Sequence, residues 1–293
     1  MKKFRTFLLL IAIPFGLSSQ INDSIILPKG DNNLEITSAI HILDIYVTNE
    51  QKVYCNGKQL QYFDEISAYL IDGLRSKLED WTPTWIYLQA DKNLKYAFID
   101  RIKSEICRVS PRLVYGTGQK EELNGIIKSI SGTTLSKLNQ YSEEIMNVKE
   151  EAEFDSISKS YNSFFMPLPP PEYDEYKLAR LLYENDIVGS KQILEDKSYS
   201  ILKLVGNNKY SFNSKDFEFS SRKNLLENLT SSEIVMMTFN EQILYEDYID
   251  AISIINKLKS AAIQNNQKVA FIIEISMNCQ KALYDSGLYL FEN

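Results

Sequence analysis

Two residues of this 293-residue chain, Asp91 and His41, have a type and a position that could support acid or base catalysis. Asp91 follows an apolar strand pattern and precedes a helical pattern that starts near Tyr96, where an active-site carboxylate can stand. The same place suits a residue that accepts backbone N–H bonds in the first turn of that helix. Asn240 holds the corresponding place later in the chain, and an amide can cap a helix but cannot act as an acid. We therefore predict that Asp91 is structural.

The other candidates for chemistry give no catalytic pattern. His41 is the only histidine and lies in an alternating strand pattern, so a multi-histidine metal site is impossible within this chain. The carboxylate pairs Asp64/Glu65 and Glu143/Glu144 are adjacent on helical patterns, and adjacent helical residues do not face each other. The sequence contains no nucleophile elbow, phosphate-binding loop or zinc-protease motif. We predict a protein that is not an enzyme, with no catalytic, cofactor-binding or metal-binding residues.

Charge and cysteine content narrow the classes further. The chain has 32 basic and 39 acidic residues, a net charge of −7, which argues against nucleic acid as a partner. Cys55, Cys107 and Cys279 are an odd number without a C-x-x-C pair, so at most one internal disulfide can form. We expect all three cysteines to be small buried hydrophobic residues.

The N-terminus has the pattern of a signal peptide. Three basic residues (Lys2, Lys3 and Arg5) precede the apolar run Phe7–Phe15, and small residues follow at 16–20. The apolar run is about half the roughly 20 residues that a membrane-spanning helix needs, and a proline interrupts it. We predict a cleaved signal peptide at 1–19, rather than an uncleaved amphipathic anchor, and a periplasmic or secreted protein.

Strand and helix patterns alternate after the signal peptide. A strand over 39–47 is followed by a returning strand at 53–55 and a turn at Asn56-Gly57. Apolar residues at helical spacing then begin near Phe63, and a strand follows at Trp85–Leu88. A second helix starts at Tyr96, and a strand at 113–115 closes the unit. The predicted order is β-β-α-β-α-β.

The same order returns near the C-terminus, which indicates a tandem repeat. Tyr96 and Tyr245 both open a second helix and lie 149 residues apart, as do Asp91 and Asn240. We therefore predict an α/β fold with two small mixed sheets, each carrying two helices on one face. The predicted domains are 27–116 and 196–293, joined by a helical and proline-rich linker at 117–195.

The linker has two parts of different character. Residues 119–161 are polar and proline-free, which predicts one or two surface helices, and a further helix is expected at Tyr176–Tyr183. Met166–Pro171 cannot be helical and is expected to be extended polyproline. We interpret it as a semi-rigid spacer rather than a ligand for a proline-binding module.

Short motifs in the first unit resemble a known family. They are Leu27-Pro28-Lys29, the hairpin sequence 52–57, the strand end Ile86–Lys92 with its Ala-Asp-Lys ending, and Tyr96 at a helix start. Together they resemble the periplasmic domain of the ExbD/TolR biopolymer-transport family, over about 27–116 and more faintly 199–275. The resemblance implies a small sheet with two helices on one side, dimerisation, and contact with envelope partners or cell-wall polymer.

The chain also departs from this family. Members carry a transmembrane helix with an aspartate on the proton path, whereas the first acidic residue here is Asp23, beyond the short apolar run. We therefore expect a non-enzymatic envelope protein that binds or scaffolds envelope or membrane transport proteins in energised transport, as a dimer or an internal pseudo-dimer. Two alternatives are a secreted enzyme with an acid at Asp91 or His41, and an adhesin-like repeat protein that binds cell walls.

Overall fold

The helices and strands of both predicted units are present in a computed structural model of the chain. The structure describes residues 25–30, 34–35, 41–75, 84–109, 113–118, 124–127, 178, 181–182, 186–195, 197–277 and 279–281. The predicted signal peptide at 1–19, the carboxylates Glu143 and Glu144, and the proline-rich segment at 166–171 lie outside these residues.

The first unit forms a mixed sheet with two helices. Its elements are β1 (Leu34–Glu35), β2 (His41–Val47), β3 (Val53–Cys55), β4 (Lys58–Gln59), α1 (Asp64–Arg75), β5 (Thr84–Ala90), α2 (Tyr96–Val109), β6 (Leu113–Gly116) and β7 (Asn124–Ile127). In α1, Asp64 and Glu65 occupy the first turn and Arg75 occupies the last turn. These charges interact favourably with the helix dipole and stabilise the helix. Ile66 and Leu70, four residues apart, bury one face of α1 against the sheet.

The second unit repeats the arrangement, and the helix α3 precedes it. Its elements are α3 (Ile187–Leu194), β8 (Tyr199–Gly206), β9 (Lys209–Phe212), β10 (Lys215–Glu218), α4 (Arg222–Thr230), β11 (Ile234–Phe239), α5 (Tyr245–Gln264) and β12 (Phe271–Glu274). The helices α2 and α5 begin at Tyr96 and Tyr245, the positions that the repeat predicts.

The two sheets share one strand order. The first runs β1-β7-β6-β5-β2-β3-β4 and the second β12-β11-β8-β9-β10, so five strands correspond one to one. In each unit three adjacent strands are parallel, β6, β5 and β2 in the first and β12, β11 and β8 in the second, and a hairpin adds the antiparallel strands at one edge. The predicted fold class is therefore confirmed, with two mixed sheets built by the same connections.

The structure also adds strands that the sequence patterns did not predict. Each hairpin continues into a third short strand, β4 or β10, whose two to four residues are too polar to stand out as a pattern. The first sheet extends beyond the expected boundary at residue 116, because β7 pairs with β6 and β1 pairs with β7. Part of the expected linker is thus a sheet edge.

Most of the core lies between the sheets and their helices. In β5, every second residue faces α1 and α2, namely Ile86, Leu88 and Ala90. In β11, Val235, Met237 and Phe239 face the helices of the second unit in the same way. The opposite face of β11 is also covered, by buried side chains from α3 and from the helical residues at 178 and 182. This double burial explains why every residue of β11 is buried.

The units meet through equivalent positions. The Tyr96 N–H donates to the Ile243 carbonyl at 2.9 Å, and the Tyr245 N–H donates to the Leu94 carbonyl at 2.7 Å. Lys95 and Leu244, which lie between these pairs and are also 149 residues apart, form an antiparallel bridge with each other. This reciprocal exchange is the geometry of a local two-fold axis.

No helix in the described part of the chain is both long enough and apolar enough to cross a membrane.

Candidate functional site

A cluster of buried polar side chains lies where α2 meets the second unit. We call it the junction cluster and define it by Tyr96, Asp100, Lys103, Tyr115, Tyr248 and Glu274. Tyr96, Asp100 and Lys103 lie about one turn apart on the buried face of α2, together with Ile99 and Ile106. Glu274 ends β12 of the second unit, so the cluster joins side chains from both units.

Lys103 is the only cation of the junction cluster and contacts most of its other members. Its ammonium group bonds the Glu274 carboxylate and the Tyr96 hydroxyl, and it lies 3.5 Å from Asp100 Oδ1. The Tyr96 hydroxyl also donates to Glu274. Both ion pairs are more than nine-tenths buried, so water screens them little.

Three tyrosines complete the cluster. The rings of Tyr96 and Tyr248 stack with their centroids 3.8 Å apart, and Tyr115 meets Tyr248 edge-on. The Tyr115 and Tyr248 hydroxyls are 2.9 Å apart, and the Tyr248 hydroxyl donates to Glu274 Oε2 at 3.2 Å. The hydrogen bonds therefore run unbroken from Tyr115 in the first unit to Glu274 in the second.

The electrostatics of the cluster follow from two carboxylates that share one ammonium group. Burial raises the pKa of Asp100, and the nearby charge of Lys103 opposes that rise. Burial raises the pKa values of Tyr96 and Tyr248 well above their usual range, and the charge of Glu274 adds to the effect. The tyrosines are thus neutral hydrogen-bond donors, and the cluster links the two units through a buried polar network.

Access to the junction cluster is narrow. A cleft of about 30 Å³ reaches Asp100, Lys103 and Glu274, with Cys107 and Cys279 also on its wall. That volume holds one or two water molecules. The cluster therefore has the packing of a structural network and has no space for an organic substrate.

Register shows that the junction cluster is asymmetric. Leu88 pairs with Tyr115 in the first sheet, and its repeat equivalent Met237 pairs with Glu274 in the second, so Tyr115 and Glu274 occupy equivalent places. The positions equivalent to Lys103 and Asp100, 149 residues later, are Ile252 and Ile249. The buried pair Lys103–Glu274 lies on one side of the two-fold axis, and the equivalent positions on the other side are Ile252 and Tyr115.

Sequence reasoning missed the junction cluster, although part of its signal was present. Lys103 and Asp100 interrupt an otherwise apolar helical stripe, and Glu274 ends an apolar strand. A charged residue on a buried stripe predicts a buried partner. The identity of that partner was not predictable, because Lys103 and Glu274 are 171 residues apart and meet only through packing of the units.

Asp91, the main catalytic candidate, lies in a different place and has its own partners. Its carboxylate is 2% exposed and accepts the Ile26 N–H at 2.9 Å and both the main-chain and side-chain N–H groups of Asn93 at 3.0 Å. The prediction that Asp91 accepts N–H bonds from the first turn of α2 is wrong. Ile26 lies in the N-terminal segment, and Asn93 lies in the turn before the helix. Asn240 makes the equivalent turn bond, accepting the Gln242 N–H at 3.0 Å.

His41 and the carboxylate pair Asp64/Glu65 do not join Asp91. His41 begins β2 and pairs with Thr84, whereas Asp91 follows Ala90 at the opposite end of the neighbouring strand, about 20 Å away at 3.3 Å per residue. Glu65 accepts the Gln61 N–H at the start of α1. The structure brings none of these candidates together.

Cys55 and Cys279 are buried and Cys107 is half-buried, and none of the three is in a disulfide. Burial raises the pKa of Cys55 and of Cys279 to about 12, which keeps both as inert thiols at neutral pH. Within the described ranges, no group of three or more histidine, cysteine, aspartate or glutamate side chains could hold a metal ion.

A wider cavity of about 260 Å³ lies at the surface of the first unit, between the β3–β4 hairpin and the starts of α1 and α2. We call it the hairpin groove and define it by Gln51, Gln59, Gln61, Tyr62, Phe63 and Phe98. Tyr62 lies at the edge of the groove and is 72% exposed. The rings of Phe63 and Phe98 pack edge-on, with their centroids 5.5 Å apart. None of the side chains that line this groove is acidic, so it is suited to binding rather than to acid–base chemistry.

Comparison with known proteins identifies no relative: no family model, curated protein or solved structure matches the chain.

Proposed function

We propose that the chain is a non-enzymatic scaffold of the bacterial cell envelope that binds envelope or membrane transport proteins. The reciprocal hydrogen bonds between Tyr96 and Ile243 and between Tyr245 and Leu94 carry this proposal. They join two units of the same topology in one chain. A protein built as a pair of equivalent domains offers two related surfaces to partners on a fixed frame.

The resemblance of the first unit to the ExbD/TolR periplasmic domain supports the same function. That family's domain is implied to pair and to contact envelope partners. The motif residues Leu27 and Asp91 belong to one structural feature here, because the Asp91 carboxylate holds the segment that contains Leu27. The family's motor role is not part of the proposal, because the apolar run at 7–15 contains no acidic residue.

Export through a signal peptide at 1–19 completes the proposal and places the scaffold in the periplasm or outside the cell. The basic residues before the apolar run at 7–15 and the small residues after it support cleavage. Removal of this segment would leave a mature chain with seven further residues before Leu27, whose side chain is buried against Tyr46.

In vivo crosslinking of the tagged full-length chain, followed by mass spectrometry, tests the function. We expect the mature chain, starting near residue 20, to crosslink to proteins of an energised envelope transport complex. The variant Lys103→Ile, which disturbs the junction, should reduce that crosslinking while export continues.

Three results would contradict the scaffold. Equal crosslinking by wild type and by an unrelated exported protein would show that contact is incidental. A catalytic activity of the purified chain that is lost in Asp91→Asn or in His41→Ala would instead support the secreted-enzyme alternative. Binding to isolated cell walls without any crosslinked transport protein would support the adhesin-like alternative.

A further inference from the structure

The hairpin groove is not a necessary consequence of the repeated fold. Hairpin register makes Gln51 equivalent to Asn208, and both have a left-handed backbone, with φ of 64° and 61°. At this place the second unit has a cavity of only about 30 Å³, with Phe219 on its wall, against about 260 Å³ in the first unit. The first unit therefore opens a surface that the second keeps nearly closed.

The lining of the hairpin groove indicates an uncharged, largely apolar ligand. Its floor is apolar and aromatic, with Val53, Leu60 and Phe98 among the lining residues, and three glutamines supply amide donors and acceptors. The one lysine on its wall, Lys52, forms an ion pair with Glu50 at 2.7 Å. Grooves with exposed aromatic rings and a few amide hydrogen bonds are the usual binding sites of proline-rich segments.

We propose that the hairpin groove binds the chain's own proline-rich segment, Met166–Pro171. This segment contains four prolines and no charged residue, which matches a groove whose one charged lining residue, Lys52, is paired with Glu50. Proline fixes much of its backbone before binding, so docking costs less conformational entropy than it does for an ordinary peptide. The proposal does not depend on the proposed envelope function.

The length of chain between the segment and the described structure permits this docking. Pro171 lies seven residues before the buried Leu178, and seven residues span at most about 23 Å. Leu182, one helical turn further on, shares a cleft with Ser104 of α2. Phe98 of the groove precedes Ser104 by six residues on the same helix, a rise of about 9 Å. This rise and the turn from Leu178 to Leu182 together take about 15 Å. About 8 Å of the tether then remains to cross the cleft from Leu182 to α2 and to pass around that helix.

Photo-crosslinking of the full chain tests the proposal. The probe is p-benzoylphenylalanine in place of Tyr62, an exposed aromatic residue at the groove. The matched control places the same probe at Ser220, which is exposed and precedes α4 by two residues, as Tyr62 precedes α1. We expect irradiation to join position 62 to a peptide containing 166–171 within a single chain, and position 220 to give no such product.

A second variant separates docking from chance collision. Replacing Pro169, Pro170 and Pro171 with serine should lower the yield of the crosslink from position 62 by about tenfold, the effect of losing about 1.4 kcal/mol of binding. The proposal is overturned if the crosslink survives in the serine variant or if position 220 gives an equal yield. It is overturned equally if the product joins two chains, which would make a second copy the occupant, or if no product containing 166–171 forms.

Discussion

Asp91 makes more hydrogen bonds than its repeat equivalent Asn240, so the two side chains should differ in their contribution to stability. Asp91→Ala removes acceptors from the Ile26 and Asn93 N–H groups, which we expect to lower the free energy of unfolding by about 2–4 kcal/mol. Asn240→Ala, the matched control, removes one bond to Gln242 and should cost about 0.5–1 kcal/mol. Urea unfolding of both variants gives the two values.

Asp91→Asn distinguishes this structural role from chemistry. An asparagine keeps an oxygen for Asn93 but presents an amide to the Ile26 N–H, so we expect an intermediate loss of about 1–2 kcal/mol. A variant with wild-type stability that no longer binds its partners would show that the negative charge itself is needed, and would contradict the structural role.

Asp100 should make stability depend on pH in a defined direction. Its pKa in the folded protein is above the ordinary 3.8, so the folded state favours the protonated form. Its contribution is fully present below about pH 4 and is lost as the pH rises through the folded-state pKa. Lys103 and Glu274 face the same carboxyl group, and Asn at this position keeps the acceptor for the Met277 N–H.

We therefore expect Asp100→Asn to gain stability relative to wild type as the pH rises from 4 to 7. Paired urea titrations at both pH values measure this gain. A difference between variant and wild type that stays constant over the interval would show that Asp100 has the same pKa in both states.

Single residues also show what sequence can predict about the site. A structural role for Asp91 in a turn could be predicted from its place after an apolar strand. The equivalent position of Asn240, whose amide cannot act as an acid, supports the same prediction. The Ile26 contact could not be predicted, because it depends on a chain segment 65 residues away that packs only in the folded state. The junction cluster depends in the same way on the packing of two units.

At the level of helices and strands, the contact between α2 and β12 through Lys103 and Glu274 can be tested directly. Lys103→Ile, which copies its counterpart Ile252, leaves the buried Glu274 and Asp100 carboxylates without their ammonium partner. We expect a loss of about 3–5 kcal/mol. Adding Glu274→Gln removes one uncompensated charge while keeping an acceptor for the Tyr248 hydroxyl, so the double variant should recover about half of that loss.

Thermal and urea unfolding of the single and double variants check this expectation as a double-mutant cycle. Strictly additive effects would show that Lys103 and Glu274 do not stabilise each other, despite their contact. Ile252→Ala is the control for core packing at the equivalent place, and its cost should not change when Glu274 is replaced.

The elements themselves were largely predictable. Apolar residues at helical spacing located α1 and α2, and the offset of 149 residues located their counterparts. The third strand of each hairpin was not predictable, since Lys58 and Gln59 are exposed polar residues whose strand conformation depends on pairing with β3. The same holds for β1, which is two residues long and exists through its pairing with β7.

At the scale of the molecule, the shared core should make both units unfold together. Buried side chains of both units form one continuous apolar cluster, which includes Tyr96 and Tyr245. Both tryptophans, at 81 and 85, lie in the first unit, whereas far-ultraviolet circular dichroism reports on both. We expect the urea transitions measured by tryptophan fluorescence and by circular dichroism to coincide.

Separate midpoints would contradict this cooperativity and show that the units unfold independently. Lys103→Ile gives a useful comparison, because it weakens the junction without changing the strand pairing within either unit. We expect the midpoints measured by fluorescence and by circular dichroism to differ in this variant. Midpoints that coincide in the wild type and separate in this variant would locate the coupling at the junction cluster.

The one-sided junction cluster also has a consequence for the pairing of the two halves. Two copies of the first unit, paired by the same two-fold axis, would place each Lys103 opposite a tyrosine, and two copies of the second would place each Glu274 opposite isoleucines. Either arrangement buries charge without its partner from the other half. The two halves are therefore complementary rather than interchangeable, because each supplies the partner for the buried charge of the other.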